Sequence, residues 1–178
     1  LMVTIDKIDF TRLKPYDVKT TKCFEQLWYQ FAQKEFGHLG TFTPIDGGGG
    51  DGGVEFYLKL HNGEIWGWQC KFFGDTGRIN IGSRDSAIED SLETAIRNHK
   101  DLTKWFLCLK TDLTVDSLSS KGKFSKGERN WFENELPKKI PAGQTITLEH
   151  WGETKFVTLL KDSKHIGIRS FFFGELEF

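Results

Sequence analysis

Apolar positions along the chain switch between two periods. From Thr20 to Phe36 they recur at Phe24, Leu27, Trp28, Phe31 and Ala32, the i, i+3, i+4, i+7, i+8 stripe of an amphipathic helix. Thr20 or Thr21 is the expected N-cap and Gly37 the stop. Thr41 to Ile45 reads as a short strand. Val54, Phe56, Leu58 and Leu60 then alternate with Glu55, Tyr57 and Lys59, a period of two that predicts a strand with one oily and one polar face. His61-Asn62-Gly63 turns the chain back, because Asn and Gly both tolerate positive φ. Glu64 to Phe73 is the returning strand. On it Trp66, Trp68, Cys70 and Phe72 share one face, and Gly67, Gln69 and Lys71 share the other. The two strands thus put Glu55, Gln69 and Lys71 on polar sides able to coincide.

Further on, Ser86-x-x-Glu89 reads as a capping box, and Ile88, Leu92, Ala95, Ile96 and His99 follow at helical spacing, a second helix running to about Lys100. Trp105 to Leu109 is a short apolar run of buried-strand character. Strand, helix and strand in that order predict a crossover and a parallel pair, which makes the sheet mixed. Thr111 to Gly127 is a Ser/Lys/Gly-rich connection. Ser125-x-x-Glu128 is a second capping-box pattern, opening a short helix through Trp131, Phe132 and Leu136 that Pro137 is expected to end. Gln144 to Glu149 alternates as a strand, and Phe156, Leu159 and Leu160 mark one more helix. The end of the chain, from Phe171 to Phe178, is unusually aromatic, so it is expected either to dock or to mark a piece of a longer protein. The fold class is α/β, a mixed central β-sheet flanked by helices.

Length then sets the domain count: 178 residues correspond to about 1.2 typical domains, hence a single domain is expected over residues 1–178, with the N-terminal part of something longer as the alternative. With 38% hydrophobic residues, 16 Phe and 6 Trp, the chain has enough oily surface to fold unaided. No apolar run approaches the roughly 18 residues of a membrane span and the start lacks a signal-peptide pattern, so a soluble, cytoplasmic protein is expected, with no membrane partner. The formal charge of −1 argues against indiscriminate coating of nucleic acid, leaving local binding, for which Lys121, Lys123, Lys126 and Arg129 form the most basic stretch. Cys23, Cys70 and Cys108 are odd in number and widely spaced, which suits reduced core thiols. No Cys-x-x-Cys occurs and the five histidines show no i, i+4 pairing, so spacing gives a structural zinc no support. Glu149 and His150 are adjacent on a strand and point to opposite faces, so they are no acid–base pair.

Gly47-x-Gly49-x-x-Gly52 matches a dinucleotide fingerprint in letters alone, since a strand rather than a helix follows it. The glycines serve either a close backbone approach or a turn. What remains is Asp51, Glu55, Gln69 and Lys71. Phosphodiester hydrolysis needs a hard divalent cation held by oxygen ligands, and carboxylates and a carboxamide supply them. A lysine beside them can position water or stabilise developing charge. Each residue also has an ordinary reading: Lys71 snorkelling from a sheet, Glu55 paired across to Lys71, Asp51 in a plain turn.

The stretch Gly47 to Phe73 resembles the PD-(D/E)XK nuclease superfamily and, within it, the Mrr-like branch. The matching segments are Gly50-Asp51-Gly52-Gly53-Val54-Glu55 and Trp68-Gln69-Cys70-Lys71, and the likeness covers roughly Thr20 to Leu109. The resemblance implies that Glu55 stands for the strand acid, Gln69 for the D/E position and Lys71 for the lysine. Glu25 matches the acid often contributed by the first helix, although a carboxylate there is also favoured by the helix dipole alone. Either Asp51 or Glu25 is left to complete the metal site. Two departures stand out: a Glu replaces the Asp, and Gln69 lowers the charge on the metal, a form that occurs throughout the Mrr-like branch. The implied activity is Mg2+- or Mn2+-dependent cleavage of DNA, double-stranded and with little sequence preference, with Lys121, Lys123, Lys126 and Arg129 as DNA contacts. Similar domains look like N-terminal effectors of bacterial antiphage proteins of the STAND NTPase type, which implies homo-oligomerisation on activation by a fused sensor module. The alternative is a catalytically silent module that keeps the fold and binds nucleic acid or protein; RNA cleavage by the same site is a second enzymatic alternative.

Overall fold

The computed structural model describes residues 8–13, 19–45 and 52–174. The first helix, α1 (Thr20–Phe36), forms where the apolar stripe lies and buries Cys23, Phe24, Leu27, Trp28, Phe31 and Ala32. Lys19 is its N-cap and makes no side-chain cap bond; Thr20 and Thr21 are already helical, so neither serves as the cap. Gly37 closes the helix with a right-handed φ of −59° and leads into a 3-10 turn, so its left-handed freedom is not what ends the helix.

The strands, in chain order, are β1 (Gly40–Pro44), β2 (Phe56–Leu60), β3 (Ile65–Lys71), β4 (Leu102–Leu109), β5 (Ser117–Leu118), β6 (Phe124–Ser125) and β7 (Thr147–Trp151). β1, β2 and β3 form an antiparallel meander. The crossover through α2 (Asp85–Asn98) lays β4 parallel to β3, and β7 adds in parallel on the far side of β4. The result is a mixed sheet of order β1-β2-β3-β4-β7, while β5 and β6 pair as a small separate hairpin inside the stretch that read as a plain connection.

Two cores sandwich the sheet. On one face α1, α4 (Glu153–Lys161) and α5 (Ile166–Phe173) cover Phe56, Leu58, Trp68, Cys70, Phe106, Cys108 and Trp151. On the other, α2 and the helical segment that α3 (Glu128–Asn130) opens and that runs on to Lys139 cover Trp105, Leu107 and Leu109. The side carrying Gln69 is therefore the floor of a second core and not a solvent face. Phe172 and Phe173 are buried in the first core, so the aromatic end docks as far as it is described; residues 175–178 lie outside the described range. All three cysteines are buried and free. No helix among the described residues is long and apolar enough to cross a membrane.

Both capping-box readings fail, because tertiary partners claim the residues first. Ser86 lies inside α2, which starts one residue earlier; Asp85 Oδ1 instead accepts from Gly82 N at 2.8 Å, and Glu89 accepts from the Trp131 indole at 3.0 Å. Glu128 does not reach back to Ser125: its buried carboxylate accepts from Ile79 N at 2.8 Å and Thr114 N at 3.2 Å, tying three segments together. Pro137 does not end the helical segment either. It sits at the start of a 3-10 turn, where its missing N–H costs nothing, and the turn runs on to Lys139.

His150 lies on the α2 side of β7 against Phe132, and its Nε2 is buried without a hydrogen-bond partner. Glu149 faces the other way and accepts from the Trp151 indole at 3.2 Å, as strand alternation requires. Burial pushes His150 down to about 4, with Arg129 adding to it and Asp112 and Glu128 opposing it. Between an unfolded value of about 6.5 and that folded value, only the unfolded chain takes up the proton, so stability falls as pH drops through this window. Urea unfolding at pH 7 and pH 4.5 should show wild type losing roughly 2 to 3 kcal/mol more than a His150→Gln variant.

Candidate active site

The chain enters the site through a close approach. Gly53 takes φ +82°, and a Cβ there would stand 2.2 Å from the Ser91 carbonyl oxygen on α2. The Trp105 indole holds the Gly53 carbonyl at 3.2 Å, and Val54 packs in the second core against Gly67. Val54 therefore does not continue the oily face of Phe56 and Leu58; the alternation begins after it. This anchoring sets where the next residue, Glu55, can stand.

Glu55 lies just before β2, where its N–H donates to the Trp68 carbonyl at 2.7 Å and its own carbonyl accepts from Ile45 N at 2.9 Å. The β2–β3 register pairs Phe56 with Trp68, so Glu55 and Gln69 are the next pair along. Their side chains meet: Gln69 Nε2 donates to Glu55 Oε1 at 2.6 Å. Gln69 is fully buried, and its carbonyl Oε1 has no hydrogen-bond partner. Leaving such an acceptor dry costs about 1–3 kcal/mol, so this carboxamide is a costly group to bury.

Glu55 also lines a cleft of about 320 Å³ with Lys22, Glu25, Tyr29 and Pro44. The two acids therefore share one cavity between α1 and the sheet. Their fields reach a common neighbour: burial pushes the Cys70 thiol well up, the Cys108 thiol beside it adds to this, and the charges of Glu55 and Glu25 push in the same direction. Lys22 bridges Glu25 at 2.8 Å.

Lys71 is half-buried at the end of β3, two residues from Gln69 and so on the same strand face, about 6.6 Å further along. Among the described residues its ammonium has neither an ion pair nor a hydrogen bond, so it is not the cross-strand partner of Glu55. Asp51 lies outside the described residues. Lys121, Lys123 and Lys126 are exposed on and beside the β5–β6 hairpin, Arg129 pairs with Glu133 at 3.4 Å, and none of the four lines the cleft. Trp105 and Gly53, which fix the approach of Glu55, were not singled out by the sequence; the only signal was a glycine run needing a close contact. No family model, no curated protein and no solved structure matches the chain.

Two substitutions test this geometry. Gly53→Ala should cost at least about 2 kcal/mol, read as a fall in Tm of about 4 °C or more, because strain and clash act together. Gln69→Leu should leave stability in metal-free buffer unchanged or raise it by up to about 1 kcal/mol in urea unfolding, since it removes a buried orphan acceptor at little change in volume.

Proposed function

We propose that the chain is a metal-dependent DNA endonuclease, a hydrolase of backbone phosphodiesters with little sequence preference, acting as an effector domain in antiphage defence. The observation that carries the reading is the Glu55–Gln69 contact, with a fully buried carbonyl oxygen left over beside a carboxylate. The Glu55 carboxylate and Glu25 line the same cleft, and Gln69, bonded to Glu55, adds a carboxamide oxygen, all of the oxygen-donor type hard cations take. Glu55 and Gln69 would hold Mg2+ or Mn2+, with Glu25 or Asp51 completing the set. Such an ion supplies charge neutralisation at phosphorus and lowers the pKa of bound water.

The protein's own groups do the rest. Gln69 donates to Glu55 and fixes the orientation of that carboxylate. Gly53, pressed against α2, sets the position from which Glu55 enters. Lys71, whose ammonium has no ion pair or hydrogen bond among the described residues, is available to hold the attacking water or an oxygen of the scissile phosphate. The basic residues Lys121, Lys123, Lys126 and Arg129 offer backbone phosphate contacts on the outside.

One observation favours the alternative of a silent nucleic-acid-binding or protein-interaction module: Glu25 is already bridged by Lys22, and the Gln69 amide already occupies Glu55. A plasmid-nicking assay on an oligomerised sample, with Mg2+ and with EDTA, separates the two. Nicking should require Mg2+, and Lys71→Ala and Glu55→Gln should each lower it by about 100-fold or more. Lys71→Ala should keep its stability within about 0.5 kcal/mol of wild type. DNA binding with no metal-dependent cutting would select the silent module.

A further inference from the structure

Away from that cleft, the last turn of α1 meets the joint between α4 and α5. Glu35 from α1, Asp162 and His165 each bring one ligand atom to within 4.8 Å of the others. Asp162 caps the 3-10 turn Ser163–His165 by accepting from Lys164 N at 3.0 Å. His165 is fully buried, edge-on to Phe31.

One ring nitrogen of His165 has its role set by a neighbour. Its Nδ1 lies 2.7 Å from the Leu159 carbonyl oxygen, which can only accept, so Nδ1 carries the hydrogen. Nε2 then faces the acids, buried and without a hydrogen-bond partner. Glu35 Oε1 is 3.0 Å away, within reach yet not in hydrogen-bonding geometry. A neutral imidazole would there set its lone pair beside a carboxylate oxygen. Two ligands on one zinc ion, with bonds of about 2.0–2.1 Å at tetrahedral angles, stand roughly 3.3 Å apart. The contact thus has the spacing of neighbouring ligands.

We propose that His165 Nε2, Glu35 and Asp162 bind a divalent transition-metal ion of the zinc class, separate from the Glu55 cleft. One imidazole with two carboxylates suits zinc better than magnesium, which favours oxygen donors alone. The Nδ1 bond to a backbone carbonyl is the outer contact that metal-bound histidines use to fix their ring. Lys164, whose Nζ stands 2.7 Å from Glu35 and 3.5 Å from Asp162, neutralises the acids without the ion and competes with it. Its side chain is 44% exposed and free to leave for water. The bound ion would clip α1 to the joint from which α5 carries Phe172 and Phe173 into the same core.

The test uses the full chain, stripped with EDTA and desalted, titrated with Zn2+ by calorimetry and followed by thermal unfolding. One Zn2+ per chain should bind and raise Tm by several degrees. Glu35→Gln and Asp162→Asn, which keep shape and cap, should each weaken binding by at least about tenfold, and Lys164→Ala should tighten it. A double Glu25→Gln/Glu55→Gln variant should bind zinc as wild type does, which keeps this result apart from the fate of the nuclease reading. The proposal is overturned if wild type takes up no stoichiometric zinc, if uptake survives unchanged in both Glu35→Gln and Asp162→Asn, or if it vanishes in the Glu25→Gln/Glu55→Gln chain.

Discussion

Everything at the candidate site hangs on the register of β2 against β3, and three stacked rings pin that register. Phe56, Trp68 and Phe106 are directly opposed on β2, β3 and β4. Phe56 and Trp68 lie 5.2 Å apart at 16°, and Trp68 and Phe106 lie 4.2 Å apart at 1°. Such pairs contribute about 0.5–1.5 kcal/mol each beyond their buried area. A slip of one residue would turn every side chain of β3 to the other face. Trp68 would then leave the stack and Gln69 would enter an aromatic core with no carboxylate to meet. The same stack that holds the sheet together thus delivers Gln69 to Glu55.

This part was legible in the sequence because it obeys a local period. The alternation of Trp66, Trp68 and Cys70 against Gly67, Gln69 and Lys71, with an Asn-Gly turn ahead of it, contains both the hairpin and the division of its faces. The helix-stripe residues of α1 and the crossover to β4 were legible for the same reason. Where long-range partners decide, local pattern misleads. Ser125-x-x-Glu128 has the letters of a capping box, yet Glu128 is spent on the amides of Ile79 and Thr114, 49 and 14 residues away. Val54 has the letter of an oily strand position, yet the glycine before it presses onto α2 and takes Val54 to the other core. Glu35 and His165 meet only because α5 folds back over α1, so no spacing rule could pair them.

Several polar groups gather at one end of the sheet. β3, β4 and β7 run parallel, so their carboxyl ends share one edge of the sheet. Gln69 and Lys71 lie at that end of β3, and His150 lies at that end of β7. After β4 comes Asp112, which accepts from Thr154 N at 3.0 Å. In open α/β sheets this edge is where ligands bind, because the strands stop there and leave a crevice. Glu55 reaches the same edge from the opposite direction, at the start of an antiparallel strand. A hairpin beside a parallel crossover is what lets a strand beginning and a strand end share one site.

Charge then shapes what such a site can hold. Glu55 and Glu25 bring two negative charges to the cleft, and Lys22 already offsets one of them. A carboxamide adds a donor atom without adding charge. Under the nuclease proposal, a cation meets little net negative charge in the cleft until substrate arrives. Magnesium held by one or two carboxylates ordinarily completes its shell with water and substrate phosphate. On that reading a carboxamide where an acid could stand would shift affinity from the protein to the complex, with metal and DNA stabilising each other's binding and neither held strongly alone. Under the same proposal Gln69 would keep the site quiet until both are present, at the cost of one buried oxygen without a hydrogen-bond partner among the described residues.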